Sequence, residues 1–108
     1  MQNENVVKSV DRALAIVKLI SSYKSMGVTE IAREIGINKS AVHRILSTLV
    51  KHGFIEKDTN TNHYKLGYTF LEIGSQLLES IDLRSEAQPF LKELEALTNE
   101  VIHLVVYD

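Results

Sequence analysis

The sequence of 108 residues contains no cysteine and no tryptophan, and it has a single proline. Without cysteine it can form neither disulfide bonds nor thiolate metal sites. No apolar run approaches the roughly 20 residues that a membrane-spanning helix needs. The polar leader MQNENVVKSVDRA also lacks the apolar core of a signal peptide. We therefore expect a cytoplasmic protein.

Patterns typical of catalysis and of metal binding are also missing. Ser, His and Asp residues occur at predicted helix caps and turns, and there is no Gly-x-Ser-x-Gly motif and no phosphate-binding glycine-rich loop. The histidines include no His-x-x-x-His pair; they are His43, His52, His63 and His103. We expect that the protein is not an enzyme and that it has no metal site and no cofactor.

Charge is distributed unevenly along the chain, although the formal net charge is only −2. Residues 1–67 hold ten Lys and Arg against six Asp and Glu, a net charge of +4. Residues 68–108 hold two basic against eight acidic side chains, a net charge of −6. A basic segment joined to an acidic one indicates two functions, with any polyanion bound by the first.

Two helices are predicted before residue 36. Ser9 is a suitable N-cap for the first, whose apolar residues recur at helical spacing through Ile20. Thr29 is the expected N-cap of a short second helix over residues 30–34. Gly36 follows where a left-handed turn residue is favoured.

The third helix is the most informative element. Asn38 is its predicted N-cap, and the helix runs to about His52 and is stopped by Gly53. At helical spacing one arc is apolar and consists of Val42, Ile45, Leu46 and Leu49. The opposite arc has no acidic residue and consists of Ser40, His43, Arg44, Ser47 and Lys51. A solvated face ordinarily mixes Glu with Lys, so the acid-free arc favours contact with a polyanion.

A β-hairpin is predicted directly after the third helix. Apolar and polar residues alternate on both sides of the turn-forming segment Asp-Thr-Asn-Thr-Asn. Lys57, His63 and Lys65 lie near the predicted tip. The two lysines either contact a polyanion or are edge-strand charges that prevent aggregation.

Two more helices and a strand are predicted in the acidic segment. The first helix runs from about Tyr68 to Ser80, and its apolar stripe consists of Phe70, Ile73, Leu77 and Ile81. This stripe is either core or a seam for a partner helix, and its near-heptad spacing favours dimerisation. A helix over about residues 85–97 and the apolar strand VIHLVVY follow. A lone strand is not stable, so these elements predict the beginning of a second domain.

Together these elements predict a mainly α fold with a small β-hairpin. It is a winged helix-turn-helix followed by a linker helix and a truncated α+β segment. The major groove of B-DNA admits one helix, which would be the third helix here, over Asn38–His52. The residues predicted to contact base edges or phosphates of the DNA are Thr29, Arg33, Lys39, Ser40, His43, Arg44, Ser47, Lys51, Lys57 and Lys65. For His43 a role in packing or capping is the alternative.

Three segments carry a resemblance to a known family: SVDRALAIVKLI, VTEIAREIGINKSAVHRILSTLVKHGFIE and YKLGYTFLEIG. They resemble the N-terminal domain of IclR-family transcriptional regulators. The final segment, LRSEAQPFLKELEALTNEVIHLVVYD, resembles the start of that family's GAF-like effector-binding domain. The resemblance implies a bacterial regulator, such as a repressor, that binds pseudo-palindromic operators in double-stranded DNA as a homodimer or a dimer of dimers. It implies a small-molecule effector only where the rest of the C-terminal domain is present.

The expected organisation has three parts. Residues 1–67 form the winged helix-turn-helix DNA-binding domain, residues 68–82 a linker and dimerisation helix, and residues 83–108 the beginning of the effector-binding domain. The alternative function is a winged-helix module that binds or dimerises with protein and has no specific DNA binding, because one fold serves several functions.

Overall fold

The computed structural model describes residues 5–80 and 92–98. Their secondary structure is mainly helical, with one two-stranded antiparallel sheet, as the sequence predicts. The elements in chain order are α1 (Lys8–Tyr23), α2 (Val28–Ile35), α3 (Lys39–Lys51), β1 (Ile55–Asp58), β2 (His63–Leu66) and α4 (Thr69–Ser80). Residues 92–98 are also helical and lie within the last predicted helix. The predicted strand VIHLVVY lies outside the described residues.

The chain divides into two compact units, Met1–Leu71 and Glu72–Asp108. The three helices and the hairpin of the first unit share one apolar core. The side chains at its centre come from every one of these elements and from the turn between α1 and α2, and they are Ile16, Ile20, Met26, Ile31, Val42, Leu46, Ile55 and Tyr64. In α1 and in α3 these residues are four positions apart, which places them on one side of the helix.

The predicted boundaries of α3 are confirmed. The Asn38 side-chain oxygen accepts a hydrogen bond from the Ala41 N–H at 2.8 Å, which caps the first turn. Gly36 before it adopts φ +84°, and Gly53 after it adopts φ +80°, a left-handed region that favours glycine. The turn into α3 and the end of α3 are therefore fixed by residues that the sequence identifies.

The predicted caps of the first two helices are wrong. Helix α1 begins at Lys8 after Val7, and no side chain caps it, so Ser9 lies inside the first turn. Helix α2 begins at Val28 after Gly27, and Thr29 is its second residue. The carboxylate of Glu30, three residues after Gly27, accepts the Gly27 N–H at 2.9 Å. This hydrogen bond stabilises the start of α2 in place of the predicted threonine cap.

The hairpin is joined to the turn between α1 and α2. Met26 and Tyr64 form an isolated antiparallel bridge, with hydrogen bonds of 3.0 Å from the Met26 N–H and 2.7 Å from the Tyr64 N–H. Met26 and Tyr64 are both buried. The hairpin is consequently held on the core at β2 as well as through its connection to α3.

The segment that leaves the hairpin crosses the end of α3 at close range. Gly67 donates its N–H to the Phe54 carbonyl at 2.8 Å, and a side chain at Gly67 would collide with the Gly53 carbonyl oxygen. Thr69 then donates its hydroxyl to the His52 carbonyl at 3.1 Å and its N–H to the Gly53 carbonyl at 3.3 Å. The first turn of α4 is thus hydrogen-bonded to the last turn of α3.

Candidate nucleic-acid interface

The exposed residues of α3 are polar or basic except Val50, which is 39% exposed. Val42 and Leu46 are fully buried on its inner side. The predicted contact residues of this helix are all exposed, and they are Lys39, Ser40, His43, Arg44, Ser47 and Lys51. No acidic residue occurs anywhere in the helix. A helix with this exposed face is suited to a polyanionic groove, because its charged groups are all cations.

A surface depression with a volume of about 480 Å³ lies beside α3, and we call it the hairpin-side depression. The start of α2, the first half of α3 and the hairpin surround it. Its lining residues are Gly27, Val28, Thr29, Glu30, His43, Lys57, Thr61, Asn62, His63 and Tyr64. Three residues predicted separately, Thr29, His43 and Lys57, are therefore brought together on one surface.

The two hairpin lysines lie on opposite faces of the sheet. In the register of the hairpin Lys57 pairs with Tyr64 and Lys65 pairs with Glu56. Residues opposite each other share a face and successive residues alternate, so Lys57 and Lys65 point in opposite directions. The Lys57 ammonium lies 5.7 Å from the centroid of the Tyr64 ring, whereas the Lys65 ammonium lies 3.8 Å from the Glu56 carboxylate. Lys57 alone of the two lines the hairpin-side depression.

The other flank of α3 carries a different surface, which we call the α1-side groove. Arg44 lies here together with apolar side chains. The groove is lined by Ser9, Val10, Ala13, Leu14, Arg44, Ile45, Thr48 and Leu49. Val10 and Leu14, placed by the sequence pattern with the apolar face of α1, are 55% and 58% exposed. His43 and Arg44, neighbours in sequence, therefore face different surroundings.

The remaining predicted residues do not line the hairpin-side depression. Arg33 is exposed on α2, and Lys65 is exposed on the outer face of the hairpin. The depression also includes residues that were not among the predicted contacts: Glu30, Thr61, Asn62 and His63. The turn-forming segment was the available signal for Thr61 and Asn62. The sequence placed His63 near the tip without indicating that it lies against the start of α2.

The apolar stripe predicted for dimerisation divides in two. Phe70 packs edge-on against Phe54, with ring centroids 5.1 Å apart, so it contributes to the first compact unit. Ile73 and Leu77 are 46% and 51% exposed on α4. Ile81 lies outside the described residues.

The part of the chain that the structure describes has neither a cluster of metal ligands nor a membrane-spanning helix. Within residues 5–80 and 92–98, no group of three His, Asp or Glu side chains is arranged to hold a metal ion. No helix in this part of the chain has both the length and the apolarity to cross a membrane.

Comparison with known families identifies the first half of the chain. Residues 9–59 match the IclR helix-turn-helix domain, and this segment contains α1 except Lys8, all of α2, α3 and β1, and the turn residue Thr59. The matched segment thus contains the whole polar face of α3 and the lysine that lines the hairpin-side depression.

Curated relatives extend the similarity over nearly the whole chain. The HTH-type transcriptional regulator XynR of Escherichia coli (strain K12) is 35% identical over 104 residues, which cover 95% of this chain and 41% of XynR. The HTH-type transcriptional regulator KipR of Bacillus subtilis (strain 168) is 33% identical over 108 residues, 100% of this chain and 42% of KipR. The transcriptional repressor IclR of Escherichia coli (strain K12) is 30% identical over 103 residues, 94% of this chain and 38% of that repressor. The chain spans about two fifths of the length of these relatives.

Solved structures agree with the sequence comparisons. An IclR transcriptional regulator from Alicyclobacillus acidocaldarius superposes with a TM-score of 0.69 at 32% identity, covering 72% of this chain and 32% of that one. Pseudomonas aeruginosa HmgR superposes with a TM-score of 0.61 at 33% identity, covering 86% of this chain and 39% of HmgR. The fold and the sequence therefore point to the same set of proteins.

Proposed function

The chain belongs to the IclR family through its helix-turn-helix domain, and from this premise we propose that it binds duplex DNA sequence-specifically as a bacterial transcriptional regulator. In this proposal α3 enters the major groove and the hairpin lies against the adjoining backbone. The observation that carries it is the exposed, acid-free face of α3 beside the hairpin-side depression. The proposal includes a cytoplasmic location, because a bacterial transcriptional regulator acts on chromosomal DNA.

The contact residues divide by their position. The first half of α3, which would reach base edges and flanking phosphates, exposes Lys39, Ser40, His43 and Arg44. Ser47 is exposed further along the helix, nearer the backbone. Lys51, in the last turn of α3, is placed for a backbone phosphate, as are Thr29 and Arg33 on α2. Lys57 supports the same role from the hairpin, because it lines the hairpin-side depression. Lys65 has less support, because it lies on the other face beside Glu56.

The function is tested by selecting bound sites from random duplex DNA and then measuring affinity against salt. We expect Arg44→Ala to lower affinity for the selected site about ten-fold or more. The ratio of affinity for the selected site to affinity for random DNA should also fall. Lys51→Ala is the matched comparison. It should weaken binding to all sequences alike and reduce the salt slope by about one unit, because it removes a phosphate contact.

Two results would contradict the proposal. Failure to select any sequence would remove specific DNA binding. Salt-independent binding to a protein, with no affinity for DNA, would establish the alternative function of a protein-interaction module. Both variants should remain folded, because Arg44 and Lys51 are exposed and their truncation leaves the core intact. Circular dichroism of each variant checks this.

We also propose that the protein acts as a homodimer on a pseudo-palindromic operator, with α4 contributing to the interface. The exposure of Ile73 and Leu77, four residues apart on one helix, supports this role. A small-molecule effector belongs to the proposal only for a protein that contains the rest of the C-terminal domain, because this chain spans about two fifths of its relatives.

The dimer is tested by sedimentation equilibrium of the chain and of the double variant Ile73→Ser, Leu77→Ser. We expect a dimer that dissociates at least about ten-fold more readily in the variant, because two apolar side chains leave the interface. A matched control is Leu71→Ser, which changes a 57% exposed leucine of the same helix that is not part of the predicted seam. Equal dissociation constants for the chain and the double variant would remove α4 from the interface.

A further inference from the structure

The hairpin-side depression has an unusual set of charged and titratable groups. Its basic groups are His43 from α3 and Lys57 and His63 from the hairpin, and Glu30 is the acidic side chain among its lining residues. When both imidazoles are neutral, the charges of Lys57 and Glu30 cancel. When both are protonated, the depression carries a net charge of +2. Histidine side chains as a class change their charge between about pH 5 and pH 8, and protonation of either imidazole here would increase the attraction of this surface for an anion.

His63 is held in a defined orientation against the start of α2. Its Nδ1 lies 3.4 Å from the Ser25 hydroxyl oxygen. Its Cδ2 and Nε2 atoms lie 3.4 Å and 3.5 Å from the position that a Cβ atom on residue 27 would occupy if Gly27 carried a side chain. A protonated imidazole has two N–H donors. With Nδ1–H donating to Ser25, Nε2–H is left on the side of the ring that faces the start of α2 and can donate to a ligand in the depression.

The carboxylates near His63 already accept backbone N–H groups. Glu30 on α2 has an oxygen 4.0 Å from the same point above Gly27, and that oxygen accepts the Gly27 N–H at 2.9 Å. Asp58 on β1 lies opposite His63 in register and accepts the Asn60 N–H at 2.9 Å. Lys57 on β1 and His43 on α3 are the other basic side chains that line the depression, and residues 25–27 of the turn between α1 and α2 are uncharged.

We propose that His63, with His43, binds a DNA backbone phosphate in its protonated form, so that affinity for the operator rises as the pH falls. The inference rests on the proposed DNA-binding function and adds a contact residue to it. A phosphate diester is anionic throughout this range, so it stabilises the imidazolium. The complex therefore binds more protons than the free protein and free DNA. It follows that affinity is highest where the imidazoles are protonated and falls as they lose their protons.

The experiment measures affinity of the chain for its selected site at constant ionic strength between pH 5.5 and pH 8.0. We expect a rise of about ten-fold or more per imidazole toward low pH, the size of one charge-assisted hydrogen bond. His63→Gln should remove part of this rise, and the double variant His43→Gln, His63→Gln should remove nearly all of it. At pH 5.5 the salt slope of the unchanged chain should exceed its slope at pH 8.0 by about one unit per added phosphate contact.

The matched control is His52→Gln, because His52 is exposed at the end of α3 and does not line the depression. It should keep the full pH dependence. Affinity that does not change with pH, or that keeps its pH dependence in the double variant, overturns the role of His63. Specific binding at pH 8.0 would leave the proposed DNA-binding function intact in either case, whereas no specific binding at any pH would remove that function itself. Circular dichroism at both ends of the range establishes that each variant is folded.

Discussion

The two flanks of α3 offer opposite environments to whatever lies against this helix. The hairpin-side depression is lined with hydroxyl, amide, imidazole and ammonium groups, whereas the α1-side groove is largely apolar apart from Arg44, Ser9 and Thr48. The successive residues His43 and Arg44 belong to different flanks, because each step along a helix turns by about 100°. One short helix therefore presents two surfaces of different chemistry, and a DNA backbone fits the hairpin side better than the α1 side.

The largest effect expected from this difference concerns the two hairpin lysines. Lys57→Ala should weaken DNA binding about ten-fold and lower the salt slope by about one unit, because it removes a cation from the hairpin-side depression. Lys65→Ala is its matched control and should change affinity less than about two-fold, because Lys65 lies on the opposite face beside Glu56. Titrations of labelled operator at several salt concentrations measure both values. Equal losses for the two variants would show that the DNA contacts Lys65 as closely as Lys57.

A smaller effect on DNA affinity, of opposite sign, is expected at Glu30, the acidic residue that lines the hairpin-side depression. Glu30→Gln removes a negative charge that faces the DNA while keeping an oxygen that accepts the Gly27 N–H. We expect affinity for DNA to rise about two- to three-fold, the size of one partly screened charge interaction. The same titrations measure it, with thermal unfolding to establish that the start of α2 is intact. A loss of affinity would mean that the carboxylate itself accepts a hydrogen bond from the DNA.

The smallest effect is expected in the α1-side groove. Leu14→Ser should alter DNA affinity by less than about two-fold and the free energy of unfolding by no more than about 0.5 kcal/mol, because this leucine is 58% exposed. Operator titration and urea unfolding measure the two quantities. A loss of affinity as large as that of Lys57→Ala would show that the α1-side groove also lies against the DNA.

Much of this arrangement follows from local sequence signals. Asn38, Gly36 and Gly53 fix the ends of α3 through a side-chain cap and two left-handed residues, and all three were recognisable without the structure. The acid-free face of α3 was predictable for the same reason, because helical spacing alone determines which side chains lie opposite the apolar arc.

Other parts depend on contacts between residues distant in sequence. The wrong caps of α1 and α2 have local causes instead: no side chain caps α1, which begins after Val7, and the Glu30 carboxylate accepts the Gly27 N–H at the start of α2. The opposite orientation of Lys57 and Lys65 depends on a four-residue connection that pairs Asp58 with His63. A connection one residue longer or shorter would change which residues share a face. The contact of His63 with Ser25 joins residues 38 positions apart, which no local pattern reports.

The close passage of Gly67 over the end of α3 has a mechanical consequence. The segment from Gly67 to Thr69 donates hydrogen bonds to the carbonyls of Phe54, Gly53 and His52. These hydrogen bonds join the first turn of α4 to the residues that directly follow α3, so turning one relative to the other would break them. Glycine at position 67 is what allows the connection to be this short, since any side chain there would meet the Gly53 carbonyl.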